Sequence, residues 1–424
     1  MRLRLFPETA DANARRVIYA RGLRATADGY VSILLPAYLL ALGFDAFEVG
    51  VMTAATLLGS ASLTLCVGFI TNRFGHRRPL LAAACLMATT GLGFAGLQEF
   101  WPMLLVAFVG TLNPSSGDVS VFLPLEQSLL AQSASDRDRT ALFVRYSLAG
   151  SLMGAAGALL AALPDLAGRQ VGVAPLPAMQ GMFVLYAATG LASAAFYRRL
   201  DEPRMTHGPQ RSEPLGPSRA IVYRMASLFS VDAFSGGLIA QSILVLWLFQ
   251  TFDLSVTAAA SLFFWTNLLS AASMFAAVPL ANRIGLVRTM VFTHLPSSLC
   301  LIAVPFVPSL TVVVGLLLLR SLLSQMDVPT RNSYVMAVVT PRERAAAASL
   351  TSVPRSLASG IGPLISGYLL LLSGFGWPVL LAGVLKTSYD LALLAMFSHV
   401  RPPEEQRPRE MERSALPAIP PRSP

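Results

Sequence analysis

Four aspartates, Asp28, Asp118, Asp232 and Asp327, stand inside long apolar runs, where an ionised side chain is costly. Their charged neighbours fall at helical spacing. Arg21, Arg24 and Asp28 recur at intervals of three and four, and Asp327 and Arg331 are four apart, so each set shares a helix face. Glu126, Arg145, Arg224, Arg320 and Arg355 are further charges in such runs. Lys386 and Asp390, again four apart, are expected to neutralise each other.

Burial favours a neutral carboxyl and a neighbouring arginine favours the carboxylate, so a movement that separates the two moves a proton. Asp28, Asp118, Asp232, Asp327, Glu126 and Arg24 are therefore the candidate proton-coupling residues. Arg145, Arg320, Arg331 and Arg355 are candidates to attract an anionic solute. The competing expectation is structural, with Arg24–Asp28 and Asp327–Arg331 as permanent ion pairs. Asp232 has no arginine at the spacing of Arg24 and is expected to be the less neutralised acid.

The elements that hold these charges follow from hydropathy. Of 424 residues, 54% are hydrophobic and 13% charged, and the mean hydropathy is +0.59; ordinary globular domains carry about a quarter charged residues. Twelve apolar runs lie near 17–42, 48–70, 79–98, 102–131, 140–163, 180–197, 220–249, 257–280, 288–307, 309–339, 344–372 and 377–399. Each approaches the roughly 20 residues that cross a hydrocarbon core. The expected fold class is an all-α integral membrane protein with twelve transmembrane helices. The first run is too long and too charged for a cleaved signal peptide.

The net charge of +9 is distributed by topology. With both termini cytoplasmic, the inner turns and tails hold 23 arginines and the outer turns one, Arg169. That asymmetry orients a multi-pass protein of the inner (plasma) membrane and excludes nucleic acid as a partner. Counted from the cytoplasmic ends at about 1.5 Å per residue, the four aspartates lie roughly 16–20 Å deep, in one layer near the midplane. They sit on spans 1, 4, 7 and 10. Spans 3, 6 and 9 carry no Asp, Glu, Lys or Arg at depth and, with span 12, are expected to face lipid. Cys66, Cys85 and Cys300 are isolated within spans, and His76, His207, His294 and His399 are scattered. Neither a metal site nor a cofactor is expected, and the acids lack the nucleophile or metal partners of an enzyme.

The chain repeats itself. Tyr19 and Asp28 match Tyr223 and Asp232 at an offset of 204, and the stretch from Pro124 matches that from Pro329 at 205. Asn72, Arg73 and Gly75 match Asn282, Arg283 and Gly285 at 210. The expected organisation is a six-span half over 1–197, a cytoplasmic linker over 198–219, a second half over 220–400 and a disordered cytoplasmic tail over 401–424. Six spans per half give both copies the same orientation, a parallel repeat. Pro114, Pro124 and Pro329 break the polar spans 4 and 10.

The hairpin GFITNRFGHRR at 68–78 resembles the signature between the second and third helices of the major facilitator superfamily. Gly68, Arg73, Gly75, Arg77 and Arg78 fit it, while Asn72 replaces the usual Asp and His76 a basic residue. The second copy keeps Arg283, Gly285 and Arg288, again with Asn282. The resemblance covers the whole chain and implies two parallel six-helix repeats, alternating access, and a cytoplasmic gate at these hairpins. SGIGPLISG at 359–367 resembles the glycine–proline motif of drug–proton antiporters. That family carries it on span 5, where this chain has Gly150, Gly154 and Gly157.

The function expected is secondary active transport of a small organic solute across the bilayer, driven by a proton (or sodium) gradient, with export by antiport favoured and a monomer as the working unit. Proton-coupled uptake of an organic anion is the alternative. A transporter-like sensor, from a different class, would bind ligand without flux.

Overall fold

A computed structural model describes residues 11–115, 120–133, 136–201, 216–340 and 343–398. Within its helices, the side chains of 68–73, 131–132, 136–141, 278, 282, 329, 332–333, 336–337 and 344–345 lie outside the described set. The N-terminal half comprises α1 (Ala12–Ala41), α2 (Ala46–Phe74), α3 (Arg77–Gly96), α4 (Phe100–Val109), α5 (Phe122–Gln132), α6 (Asp136–Leu160), α7 (Leu163–Val171) and α8 (Pro175–Arg198). The C-terminal half comprises α9 (Arg219–Leu238), α10 (Gln241–Phe252), α11 (Val256–Ile284), α12 (Leu286–Ala303), α13 (Leu310–Ser324), α14 (Asp327–Val338), α15 (Arg344–Leu372) and α16 (Trp377–Phe397).

Nine stretches of the described residues are long and apolar enough to cross a membrane. The expected spans missing from that set are the first, fourth and tenth. Span 1 is the continuous α1, whose apolar run is diluted by Arg15, Arg16, Arg21, Arg24 and Asp28. Spans 4 and 10 are each broken in the middle, into α4 with α5 and α13 with α14. Span 7 also breaks, between α9 and α10, at Ile239–Ala240. A broken helix inside a membrane survives only where its freed backbone groups find partners. Here Tyr186 donates to the Thr111 carbonyl (3.0 Å), and the Ser242 N–H donates to the Pro114 carbonyl (3.1 Å), so the breaks of spans 4 and 7 satisfy each other across the two halves. Ser366 Oγ donates to the Leu238 carbonyl at 2.8 Å.

Glycine seams pack the helices within each half. A Cβ on Gly29 of α1 would lie 2.2 Å from the Gly154 carbonyl of α6, and one on Gly157 would lie 2.1 Å from the Thr26 carbonyl. In the other half a Cβ on Gly237 of α9 would lie 2.1 Å from the Ser359 carbonyl of α15, and one on Gly362 would lie 2.4 Å from Gly237. These are equivalent seams of the repeat, and both need backbones closer than any side chain allows. Gly362, Ser366 and Gly367 of the antiporter-like stretch are thus packing residues in α15, since Gly367 also meets Gly50 of α2. The two basic hairpins are equivalent turns as well. Gly75 (φ 72°) joins α2 to α3 and Gly285 (φ 88°) joins α11 to α12, each in the region that favours glycine.

Both halves start and finish their helices at one end of the bundle. At this terminus end Arg16 of α1 pairs with Asp201 beyond α8 (3.0 Å), and Val222, Tyr334 and Phe397 pack in one cluster. The hydrogen bonds that join the halves among the described residues lie between mid-bundle and the far end. Gln241 donates to Ser32 Oγ (2.9 Å), Thr53 and Ser242 share a contact of 3.4 Å, and Thr257 donates to Asp165 (2.8 Å).

Candidate functional site

On the terminus side of these contacts, a cavity of about 640 Å³ separates the halves. Its walls come from α1, α5 and α6 of one half and α9–α16 of the other. They include Asp28, Asp232, Asp327, Arg320, Arg331 and Arg355 from among the sequence candidates. Asp118 lies outside the described residues, as do the side chains of Gly68, Asn72, Arg73 and Asn282. Arg77 is half-buried, and Arg78 and Arg283 are exposed at the terminus end, while His76 Nε2 binds Ser128 Oγ of α5 at 2.8 Å.

The N-terminal half differs from expectation in its pairing. Arg24 is bonded through Nη2 to Glu126, not paired to Asp28. Glu126 Oε1 accepts from Tyr197 and Oε2 from Tyr146, each at 2.6 Å, and Arg24 Nε donates to Tyr197 at 3.1 Å. The Phe122 ring covers the guanidinium at 3.9 Å. Arg24 is 2% exposed and Glu126 fully enclosed, so this charge-paired cluster is buried, with Tyr146 separating it from the cavity. The α1 turn sets Arg24 and Asp28 on nearly one face, yet only Glu126 brings two flanking tyrosines to satisfy its oxygens. Asp28 is left toward the cavity, beside Arg21 and Arg24, with Asn113 as its hydrogen-bond donor. Arg145 is half-buried on α6 and is not part of the cavity wall.

Arg21 occupies the wall instead. It lies flat across α6, because Gly150 leaves room: a Cβ there would stand 2.8 Å from Arg21 Nε. Its guanidinium sits 5.4 Å from the centre of the Tyr146 ring.

In the C-terminal half the charges form a connected network. Asp232 of α9 accepts from Lys386 Nζ of α16 at 2.7 Å on one oxygen and from Arg331 Nη1 of α14 at 3.3 Å on the other. Arg331 also holds Asp327 at 3.0 Å, the pair that the spacing of four suggests. Asp390, one turn from Lys386 on α16, is bonded instead to His294 Nδ1 of α12 at 2.9 Å, with Ser298 Oγ at 3.4 Å. Three expectations change as a result. Lys386 and Asp390 take different partners; Asp232, expected to be the less neutralised acid, is paired to two cations; and spans 9 and 12 contribute to the site through His294 and Lys386, both of which line the cavity. The signal for His294 was present as a histidine at depth in span 9, whereas nothing in the sequence joins it to Asp390, 96 residues away.

A sequence profile described as Major Facilitator Superfamily matches the chain over residues 18–249 and again over 225–423. The uncharacterized membrane protein YJR124C of Saccharomyces cerevisiae is 23% identical over 410 residues, covering 88% of this chain and 92% of that one. A stretch of 90 residues is 37% identical to MdtD of Pectobacterium atrosepticum, named provisionally for multidrug resistance, and covers 20% of this chain and 19% of that one. Among solved structures, a mutant form of the nucleoside transporter NupG aligns with a TM-score of 0.72 at 14% identity, over 91% of this chain and all of that one.

Proposed function

The chain belongs to the major facilitator superfamily and is a membrane transporter, not an enzyme, and we propose that it moves a small polar organic solute by alternating access, coupled to protons. With the terminus end at the cytoplasm, the orientation that the arginine asymmetry supports, the cavity faces inward and the bonds at the far end form the closed outer gate. Opening outward breaks the Thr257–Asp165 and Gln241–Ser32 bonds and brings the basic hairpins at Gly75 and Gly285 toward the opposite halves.

The observation that carries proton coupling is the charge count of the C-terminal network. Asp232, Asp327 and Asp390 set three negative charges against the permanent cations Arg331 and Lys386. His294 joins the network through Asp390, at 2.9 Å, and an imidazole is the side-chain type that takes up and releases protons most readily. A proton on the His294–Asp390 pair balances the network; without it the network is one positive charge short. Asp390 and Tyr389 of α16 contact the His294 ring and Asp232 of α9 acts on it electrostatically, while Lys386, Asp327, Arg331 and Arg320 line the same cavity. Lys386 stands between Asp232 and Asp390, so the two acids compete for its charge, and a shift of α16 against α9 changes the proton's hold on the histidine.

Export in exchange for protons is the direction we take, from the resemblance of the hairpin and of the α15 stretch to antiporters; uptake with protons is the second reading, favoured by the cations of the cavity wall. The test is the internal pH of proteoliposomes while solutes are screened, with wild type beside Asp390→Asn and His294→Gln. Solute-dependent proton movement in the wild type, lost in both variants while downhill solute exchange continues, is the expected result, and its sign gives the direction. Solute flux with no proton movement in the wild type removes the coupling.

A further inference from the structure

We propose that the solute is an organic anion, bearing a carboxylate, phosphate or sulfonate group, held between Arg21 of the N-terminal half and Arg320 of the C-terminal half. The proposal rests on the cavity being the transport site.

Two independent features of the wall lead there. The first is charge. Among the described residues, the cavity is lined by five permanent cations, Arg21, Arg320, Arg331, Arg355 and Lys386, against three acids, Asp28, Asp232 and Asp327. Two of those acids are already engaged by Arg331 and Lys386, and Asp28 lies beside Arg21 and Arg24. Arg320 has no ion pair with any described acid. An arginine left without a counter-charge at membrane depth is costly, and such a residue is kept where something else supplies the anion.

The second feature is hydrogen bonding. Arg21 Nε, Arg320 Nε and Asn267 Nδ2 are buried in the wall with no acceptor on the protein. All three are N–H donors, so the unpartnered polar groups of the wall are a surplus of donors. The surplus matches a ligand that is rich in acceptors and carries no donor of its own at that point, which describes a carboxylate, phosphate or sulfonate. Guanidinium groups bind these oxyanions through two parallel N–H···O bonds. Arg21 and Arg320 line the cavity from opposite halves, so a solute whose anionic group is held by one and whose body or second acceptor reaches the other links the halves, as closing the cavity requires. Tyr146 and Phe263 also line the cavity and give an aromatic or aliphatic body apolar contact.

The test is thermal unfolding of the purified full chain in detergent, with no gradient. The probes are small mono- and dicarboxylates, aryl phosphates and aryl sulfonates, each paired with a neutral amide or alcohol of the same shape. Anions are expected to raise the unfolding midpoint in a saturable way and their neutral partners not to. Arg320→Gln and Arg21→Gln are expected to raise the half-saturating concentration about tenfold or more, as the loss of a charge-assisted bond implies. Arg320→Lys, which keeps the charge and loses the fork, falls between, and Arg224→Gln, at an exposed position of α9, binds as the wild type does. If no anion stabilises the protein, if neutral partners serve equally, or if Arg320→Gln binds unchanged, the proposal is overturned. Repeating the assay in neutral and in anionic lipid nanodiscs separates a soluble cargo from a lipid headgroup; stabilisation by anionic lipid alone also overturns it. Failure of the transport reading looks different, since anions would then bind without flux in liposomes.

Discussion

Replacing Asp232 by Asn tests the wiring of the C-terminal network most directly. Asp232 holds Lys386 at 2.7 Å and Arg331 at 3.3 Å, with the lysine side chain 10% and the aspartate 7% exposed. Arg331 keeps a second acid, Asp327, at 3.0 Å, whereas Asp232 is the one acid bonded to Lys386 among the described residues. Asp232→Asn therefore strands a buried ammonium group. Breaking a buried pair from one side costs about 3–5 kcal/mol, and the polar cavity places this case near the lower end. Asp327→Asn leaves Arg331 on Asp232 and removes one charge-assisted hydrogen bond, worth about 1.5–3 kcal/mol.

Lys386→Met in the Asp232→Asn background removes the stranded charge. That double variant should recover about 2 kcal/mol relative to Asp232→Asn alone, a coupling measured by a double-mutant cycle. The assay is denaturant unfolding of the purified protein in mild detergent, followed by tryptophan fluorescence. Equal losses for Asp232→Asn and Asp327→Asn, or a double variant as unstable as the sum of the single ones, would falsify the pairing. The double variant keeps the charge deficit but lacks the Lys386 charge for which Asp232 and Asp390 compete, so solute-coupled proton movement should be absent although stability returns, which separates the role in transport from the role in folding.

Two further outcomes follow from other parts of the molecule. Cysteines replacing Asp165 and Thr257, whose side chains meet at 2.8 Å across the far end, should form a cross-link that stops transport until reduced; full activity of the cross-linked protein would mean that this end does not open. At the terminus end, Glu343 accepts from Thr340 (2.6 Å), from Ser218 (2.7 Å) and from the Gly216 N–H, and these donors hold its carboxyl below the usual carboxylate range. Because the folded value is the lower one, the stabilisation is complete above the unfolded pKa of about 4.3 and is lost as pH falls through the folded value. Glu343→Gln should therefore lower the unfolding midpoint at neutral pH and flatten its decline in acid, and parallel curves for the two proteins would contradict that account.

Much of this architecture was legible in the chain itself, for a physical reason. A bilayer requires about 20 apolar residues per crossing, confines uncompensated arginine to one side, and tolerates charge at depth only where it is sheltered. Hydropathy, arginine placement and the repeat offsets therefore carried the twelve spans and the parallel halves, and Gly75 and Gly285 marked equivalent turns because a positive φ favours glycine. The i to i+4 rule also anticipated Asp327–Arg331, a contact within one helix turn.

The same rule failed for Arg24–Asp28 and for Lys386–Asp390, and the failure is instructive. Spacing along one helix states which groups can meet, but the bond goes to whichever partner satisfies the most buried donors and acceptors. Glu126 prevailed over Asp28 because Tyr146 and Tyr197, from two other helices, complete its hydrogen bonds. Asp232 prevailed over Asp390 for Lys386, leaving Asp390 to His294. Those partners lie 71 to 154 residues apart in sequence, or 20 in the case of Tyr146. The types and depths of the charges are a property of the sequence; which charge neutralises which, and which arginines are left facing the cavity, was settled only when the helices packed, because pairing at depth depends on neighbours that no local pattern records.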